Sequence, residues 1–533
     1  MRCLCTAVLA CGLGLPVVAS DPPTPGATGF DGSWSVQILN NVDQVNLCLI
    51  KVKDKDGKPD VKLVATLPAP GFRGAKLEKA RGDARSLHFD LNVGGRLLRV
   101  NVYASRAAGK TRKLRGNLEL GGQVLPLVLA ANDKNEITVA DASRPAEGGA
   151  DLQKSMQEKD AKKQVEGLQA WVEKHPESLA ALPVAEALLA AQAKEGASAD
   201  AVKATADRCL AFAATYGPEM ESHTLVPVLK VLGTALRKAG KKDEYKQVAD
   251  RLARAEKKLD EEFVKTAVPF EVKPFTGRKD KSDRVVLVEL FTGAQCPPCV
   301  SADIAFDAAL KAYKPNEVAL LQYHLHIPGP DPLTNADTEA RQAYYGSAIQ
   351  GTPTTFVDGK VTPAPGLGGF KEHGEDRFGK LSKLINEELE KDAGAQLQLK
   401  VNRSGDLLDL TCNVEGLKKT GDKVRLRFVL VEEVARYAGR NGQRVHHHVV
   451  RSFPGGVEGF ALKEKSDKQS AKVSLAELTR SLKGYLDKAE QRRPFLDEER
   501  PMDLKHLMVV AFVQDDETKE VLQAAQAEVP GEK

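Results

Sequence analysis

A chain of 533 residues is too long for one hydrophobic core and predicts about three to five domains. Lys and Arg number 77 against 73 Asp and Glu, a net charge of +4 with no basic block interleaved with aromatics, which argues against a nucleic-acid partner. Hydrophobic residues make up 42% but aromatics only 5%, so the cores must rest on Ala, Val and Leu, as in a water-soluble multidomain α+β protein.

The first element is Met1-Arg2 followed by an apolar run to Val18 and then Ala19-Ser20. It predicts a secretory signal peptide over 1–20 with Asp21 as the first mature residue. A lipoprotein cleavage at Leu9-Ala10-Cys11 is the alternative, although the apolar stretch before Cys11 is short. Either way the mature chain is expected to be exported, periplasmic or associated with the cell envelope, where thiols oxidise. Cys3, Cys5 and Cys11 belong to this segment, leaving five cysteines. No later stretch is long and apolar enough to span a bilayer.

After a Pro-rich linker, residues 29–140 alternate with a period of two. Ser33–Ile38, Leu87–Val93 and Val100–Tyr103 are examples, and Asp56-Gly57, Gly94-Gly95 and Gly121-Gly122 mark turns. This predicts an antiparallel β domain, a small barrel or a sandwich, with His88 on the solvated side. From 151 to 265 the period becomes helical. Leu168, Trp171 and Val172 form one stripe, Val202, Ala206, Cys209 and Phe212 another, and Leu225 to Leu236 a third. Cys209, Trp171 and Phe212 are expected in the core. Ala239-Gly-Lys-Lys-Asp-Glu-Tyr245 is similar to the interhelical turn of tetratricopeptide-like repeats.

The chemistry concentrates between 270 and 392. Val285–Phe291 is a continuous apolar run suited to a strand buried on both faces. Thr292-Gly-Ala-Gln-Cys296-Pro-Pro-Cys299 follows, opening a helix whose stripe is Ala302, Phe306, Ala309 and Leu310. A thiol at a helix N-terminus meets unpaired N–H groups and the positive dipole end, so its thiolate is favoured. Cys296 is the expected nucleophile and Cys299, one turn on, the resolving thiol. Pro297 and Pro298 suit a first helical turn, where a missing N–H is tolerated.

Strand, Cys-Pro-Pro-Cys, helix, strand Val318–Tyr323, then Thr352-Pro353 and the hairpin Thr354–Lys360 resemble the thioredoxin fold. The resemblance implies a cis peptide before Pro353, facing the disulfide, and a Thr352 that binds substrate backbone. It implies a buried acid six residues before the first cysteine as proton relay. Leu290 stands there and Glu289 one place earlier, so Glu289 is the candidate. Val288-Glu-Leu-Phe-Thr-Gly293, His326-Ile-Pro-Gly-Pro-Asp-Pro-Leu333 and Ala340-Arg-Gln-Ala-Tyr-Tyr345 narrow the likeness to exported thioredoxin-like proteins of unassigned function.

Residues 395–530 return to period two, and resemble the β-sandwich that follows the redoxin domain in outer-membrane-associated relatives. There, alternation places His446 and His448 on one face and His447 on the other. The function implied is thiol–disulfide exchange with protein thiols and disulfides, with a membrane redox partner as a candidate and no cofactor or resident metal.

Three alternatives stand beside it. The cysteine pair could be half a zinc site, although no second pair exists. It could bind copper(I) with His324 and His326. Or it could be a structural disulfide in a non-catalytic envelope scaffold.

Overall fold

The computed structural model describes residues 30–531 apart from 56–57, 106–113, 121–122, 217, 280–281, 364–365 and 497. The expected signal peptide with its three cysteines and the linker after it lie outside the described residues, as do the Asp56-Gly57 and Gly121-Gly122 turns. The chain divides into two compact units at Lys242/Asp243. It is multidomain, with helices and sheets mixed.

The first unit opens with eight antiparallel strands: β1 (Gly32–Asn40), β2 (Asp43–Lys55), β3 (Lys58–Thr66), β4 (Lys76–Gly82), β5 (Ser86–Val93), β6 (Arg96–Ala104), β7 (Leu114–Leu120) and β8 (Gln123–Ala131). Their order is β3-β2-β1-β8-β7-β6-β5-β4, and the end strands β3 and β4 approach one another, so the sheet curls nearly into a barrel. A short β9 (Ser143–Pro145) pairs with β2.

On β5, Leu87, Phe89 and Leu91 are buried, but so are the alternate residues His88 and Asp90. His88 is therefore not solvated as expected. Its Nδ1 is 2.8 Å from Asn101 Oδ1, and Asn101 donates to Asn117 at 2.8 Å, a cross-strand polar row that satisfies both residues under cover.

Five helices follow: α1 (Gly149–Gln157), α2 (Ala161–Lys174), α3 (Ala181–Glu195), α4 (Ala199–Tyr216) and α5 (Pro218–Lys238). Asp160 caps α2 by accepting from the Lys163 amide, and Gly196 ends α3 in the left-handed region at φ 77°. Trp171 and Cys209 are buried as the stripes require. Phe212 packs on Tyr103 of the sheet.

The second unit starts with α6 (Lys242–Thr266). Strand β10 (Val286–Thr292) is buried along its whole length, matching its unbroken apolar sequence. Helix α7 (Val300–Ala312) carries the chain to β11 (Val318–His324), parallel to β10. After α8 (Ala336–Tyr345), β12 (Thr354–Val357) returns antiparallel to β10 and β13 (Lys360–Val361) closes a hairpin. Helix α9 (Gly374–Leu389) packs beside α7.

The C-terminal strands are β14 (Gln396–Ser404), β15 (Leu407–Glu415), β16 (Gly421–Arg436), β17 (Val445–Ser452), β18 (Phe460–Leu462), β19 (Asp467–Ser474), β20 (Leu507–Asp515) and β21 (Val521–Glu528). One sheet runs β13-β12-β10-β11-β17-β16-β20-β21, so the 270–392 and 395–530 segments share a single sheet. A second sheet, β14-β15-β19, faces it across a core of Leu408, Leu410, Leu426, Phe428 and Val509. Helix α10 (Leu475–Arg492), capped by Ser474, interrupts a region whose sequence reads as strands. No helix among the described residues is long and apolar enough to cross a membrane.

Candidate redox site

Strand alternation decides which side chains of β10 can meet the cysteines. Val286, Val288 and Leu290 pack against α7, whereas Leu287 and Phe291 enter the core on the opposite face. Thr292, in step with the first set, points toward α7. The turn behind it is tight: a Cβ on Gly293 would lie 2.6 Å from the Ile327 carbonyl oxygen, so only glycine fits. Cys296 N–H donates to Gly293 O at 3.0 Å and Cys299 N–H to Cys296 O at 3.1 Å, winding Pro297–Cys299 into a short turn that leads into α7.

Cys296 and Cys299 form a disulfide. The Thr352–Pro353 peptide is cis, and Cys296 Sγ lies 3.5 Å from the Thr352 carbonyl oxygen. Across Pro353, a Cβ on Gly368 would come within 3.4 Å of the ring, while Gly369 N–H donates to Pro298 O. The two cysteines, Thr352 and Pro353 therefore meet at one place.

Both sulfurs are covered: Cys296 is 2% exposed and Cys299 0%. Part of the cover comes from the segment between β16 and β17. Asn441 donates through Nδ2 to Gly293 O at 3.3 Å and Cys296 O at 3.4 Å, and its amide donates to Ala294 O. Gly439 is pressed so close that a Cβ would lie 2.4 Å from Ala294 O. Gln295 donates to Tyr437 Oη at 3.3 Å.

No protein-family model matches the chain, and no curated protein matches it. Among solved structures, HBP35 of Porphyromonas gingivalis is similar at 17% identity, covering 48% of this chain and 78% of that one, with a TM-score of 0.36.

Under the disulfide loop lies a buried polar chain. Asp303, one helical turn after Cys299, accepts from Thr292 Oγ1 at 2.8 Å and Gln322 Nε2 at 3.2 Å. Burial, reinforced by the nearby Asp307 and Asp331 carboxylates, pushes the Asp303 carboxyl up to about 8. Gln322 Oε1 meets His324 Nε2 at 3.2 Å, and His324 Nδ1 meets Asp331 at 2.8 Å. Asp331 also accepts from the Ala294 amide at 2.6 Å, tying this chain to the cysteine turn. Burial raises the carboxyl of Asp331, but His324 and these N–H donors outweigh it and hold it below the usual carboxylate range.

Glu289 is placed otherwise. Odd-numbered on β10, it faces the side of the sheet away from α7. There it accepts from Arg341 Nε at 2.9 Å and Nη2 at 3.0 Å and from the hydroxyls of Tyr323 and Tyr345. None of its hydrogen bonds reaches a cysteine. The expected relay role does not fit, because a residue an odd number of places from Thr292 must emerge on the other face.

The histidines differ from expectation as well. Both ring nitrogens of His324 are engaged within the polar chain, and His326 accepts from the Asp331 amide at 3.0 Å and contacts Tyr485 Oη at 3.1 Å. His448 has φ 52°, which breaks the alternation of β17. His447 then meets Asp307 of α7 at 2.8 Å, while His448 packs edge-on to Phe306 of the same helix. His446 sits edge-on to His324, and burial pulls it down to about 3. Among the described residues no group of three or more His, Cys, Asp or Glu is arranged to hold a metal ion.

Sequence reasoning missed Asp303, Asp331 and Asn441. Asp303 left a signal: it follows Ala302 in a helix that is apolar nearly all round, where a carboxylate must be buried. Asn441, from a distant loop, left none.

Proposed function

We propose that this chain is a thioredoxin-like thiol–disulfide oxidoreductase working in the cell envelope. The observation that carries the reading is the meeting of the Cys296–Cys299 disulfide, at the start of α7, with the cis Thr352–Pro353 turn. The order β13-β12-β10-β11, with β11 parallel and β12 antiparallel to β10, supports the same fold assignment. The signal-like sequence over 1–20 supports export.

In the reduced protein the Cys296 thiolate attacks one sulfur of a substrate disulfide. A mixed disulfide forms and one substrate thiolate leaves. Cys299 loses its proton, with Asp303 one helical turn further on as the proposed acceptor, and attacks Cys296 Sγ. The mixed disulfide breaks, Cys296–Cys299 forms, and the substrate departs as a dithiol, reduced by the two electrons the protein has lost. The reverse sequence oxidises a substrate dithiol. Asp303 suits the proton step because burial without a cation partner brings its carboxyl near neutral pH. Thr352 and Pro353 hold the substrate backbone against Cys296.

A structural disulfide is the second reading, favoured by the burial of both sulfurs. Trapping separates the two. A Cys299→Ala variant expressed in its host should accumulate mixed disulfides through Cys296, which a reductant releases. Absence of any trapped species, together with a Cys296 that resists alkylation after reduction, would leave the structural reading standing.

A further inference from the structure

Beside the cysteine turn lies a cavity of about 320 Å³ whose lining includes His326, Glu339, Tyr485, Lys488, Arg492 and Arg493. Two links place it next to the disulfide. Arg493 donates to Pro328 O at 3.0 Å. Gly329, the next residue, sits between Gln295 and Arg493, since a Cβ there would lie 3.7 Å from one side chain and 3.9 Å from the other. Gln295 is the immediate neighbour of Cys296.

The charges in the cavity do not cancel. The Asp331 amide donates to His326 Nδ1, so Nε2 carries the ring proton of the neutral imidazole and donates to Tyr485 Oη. Burial lowers the His326 pKa, which keeps the ring neutral. The Tyr485 side chain shares the cavity lining with Glu339. Glu339 is the single carboxylate of the lining, against three cations from Lys488, Arg492 and Arg493. Lys488 and Arg492 are exposed to solvent.

We propose that this cavity is a subsite for an acidic segment of the protein substrate, seating Asp or Glu side chains that flank the cysteine being exchanged. The inference rests on the oxidoreductase reading and adds a substrate class to it. Arginine forks and a lysine around one small cavity match carboxylates in charge and geometry. Their place one residue from the cysteine turn would let a substrate that lies along Thr352–Pro353 reach them. The last turn of α10 also favours cations through its dipole, so the test must separate binding from helix stability.

The experiment uses the full chain and two labelled peptides, one rich in Glu and one with Gln in its place, each carrying Ser where the substrate would have Cys. Binding is read by fluorescence anisotropy for the wild type and for Lys488→Glu/Arg492→Glu. Exchange with the neutral hydroxyethyl disulfide and thermal melting are followed alongside. The expected result is binding of the Glu peptide at least about tenfold tighter than the Gln peptide, weakened by salt. The double variant should abolish that preference while melting and neutral-disulfide exchange stay as in the wild type. Equal binding of the two peptides by the wild type, or an undiminished preference in the variant, overturns the proposal. A wild type that prefers the Glu peptide yet fails to exchange hydroxyethyl disulfide would sink the oxidoreductase reading instead, so the two failures are distinguishable.

Discussion

The two faces of strand β10 each bury an acid, and they treat it in opposite ways. Glu289 meets a guanidinium in bidentate geometry and two tyrosine hydroxyls, all of them on buried residues. Asp303, reached from the Thr292 side, has only a hydroxyl and an amide for partners and two further carboxylates nearby. The first arrangement fixes a charge in place. The second leaves a carboxyl whose proton is exchangeable near neutral pH, which is what a thiol–disulfide centre can use. Depth of burial does not separate the two sites; the chemical nature of the partners does.

The strongest way to break this contrast is to remove the cation. Arg341→Met would leave Glu289 buried without its counter-charge and should cost about 3–5 kcal/mol in denaturant unfolding. Adding Glu289→Gln should recover much of that loss. A single variant as stable as the wild type would contradict the pairing of Glu289 with Arg341 as a fixed ion pair.

Asp303→Asn probes the other face. The amide keeps an oxygen for Thr292 and Gln322 but cannot take a proton, so the attack of Cys299 on a Cys296 mixed disulfide should slow by about a hundredfold and lose its inflection near pH 8. Stability supplies an independent reading. The folded pKa lies above the unfolded one, so the folded state binds a proton that the unfolded state lacks between about pH 4 and 8. Wild-type stability should therefore fall as pH rises through that window, by up to about 1.4 kcal/mol per unit, and Asp303→Asn should flatten the fall.

Asn441→Ala loosens the cover over the cysteine turn. It should cost about 1 kcal/mol and raise the alkylation rate of reduced Cys296 several-fold at constant pH. An unchanged rate would show that the covering loop does not limit access.

The smallest effect belongs to His447. Burial alone would lower its pKa, but the Asp307 carboxylate outweighs it and the net shift is upward. Its contribution is present below about pH 6.5 and disappears as pH rises through the folded value. With the ring 30% exposed, His447→Gln should change stability by less than about 1 kcal/mol, and only on the acid side.

Much of this was legible in the sequence because it depends on local pattern. The period-two run from Ser33 to Tyr103 gave antiparallel strands, and the stripes through Trp171 and Cys209 gave helices with those residues buried. The apolar run of β10 foretold a strand covered on both faces. Cys296 and Cys299 lie beside Thr352 and Pro353, more than fifty residues away in sequence.

What stayed hidden depends on parity, local backbone and long-range pairing. Glu289 was one place out of step, which on a strand means the opposite face. The positive φ at His448 undid an alternation that composition could not contradict. Helix α10 had its signal, Ser474 as cap with Leu475, Leu478, Leu482 and Leu486 at helical spacing, overshadowed by the strands around it. The pairing of β11 with β17, which brings Asn441 over the cysteine turn, joins segments more than a hundred residues apart.

The central claim is that Cys296 and Cys299 form a working redox couple despite their burial. A redox titration of the purified protein, read by thiol alkylation and mass, tests it directly. A reversible couple between about −270 and −120 mV is the predicted result. A couple below about −300 mV, or a disulfide that does not re-form after reduction, would contradict it and make the bridge a structural one.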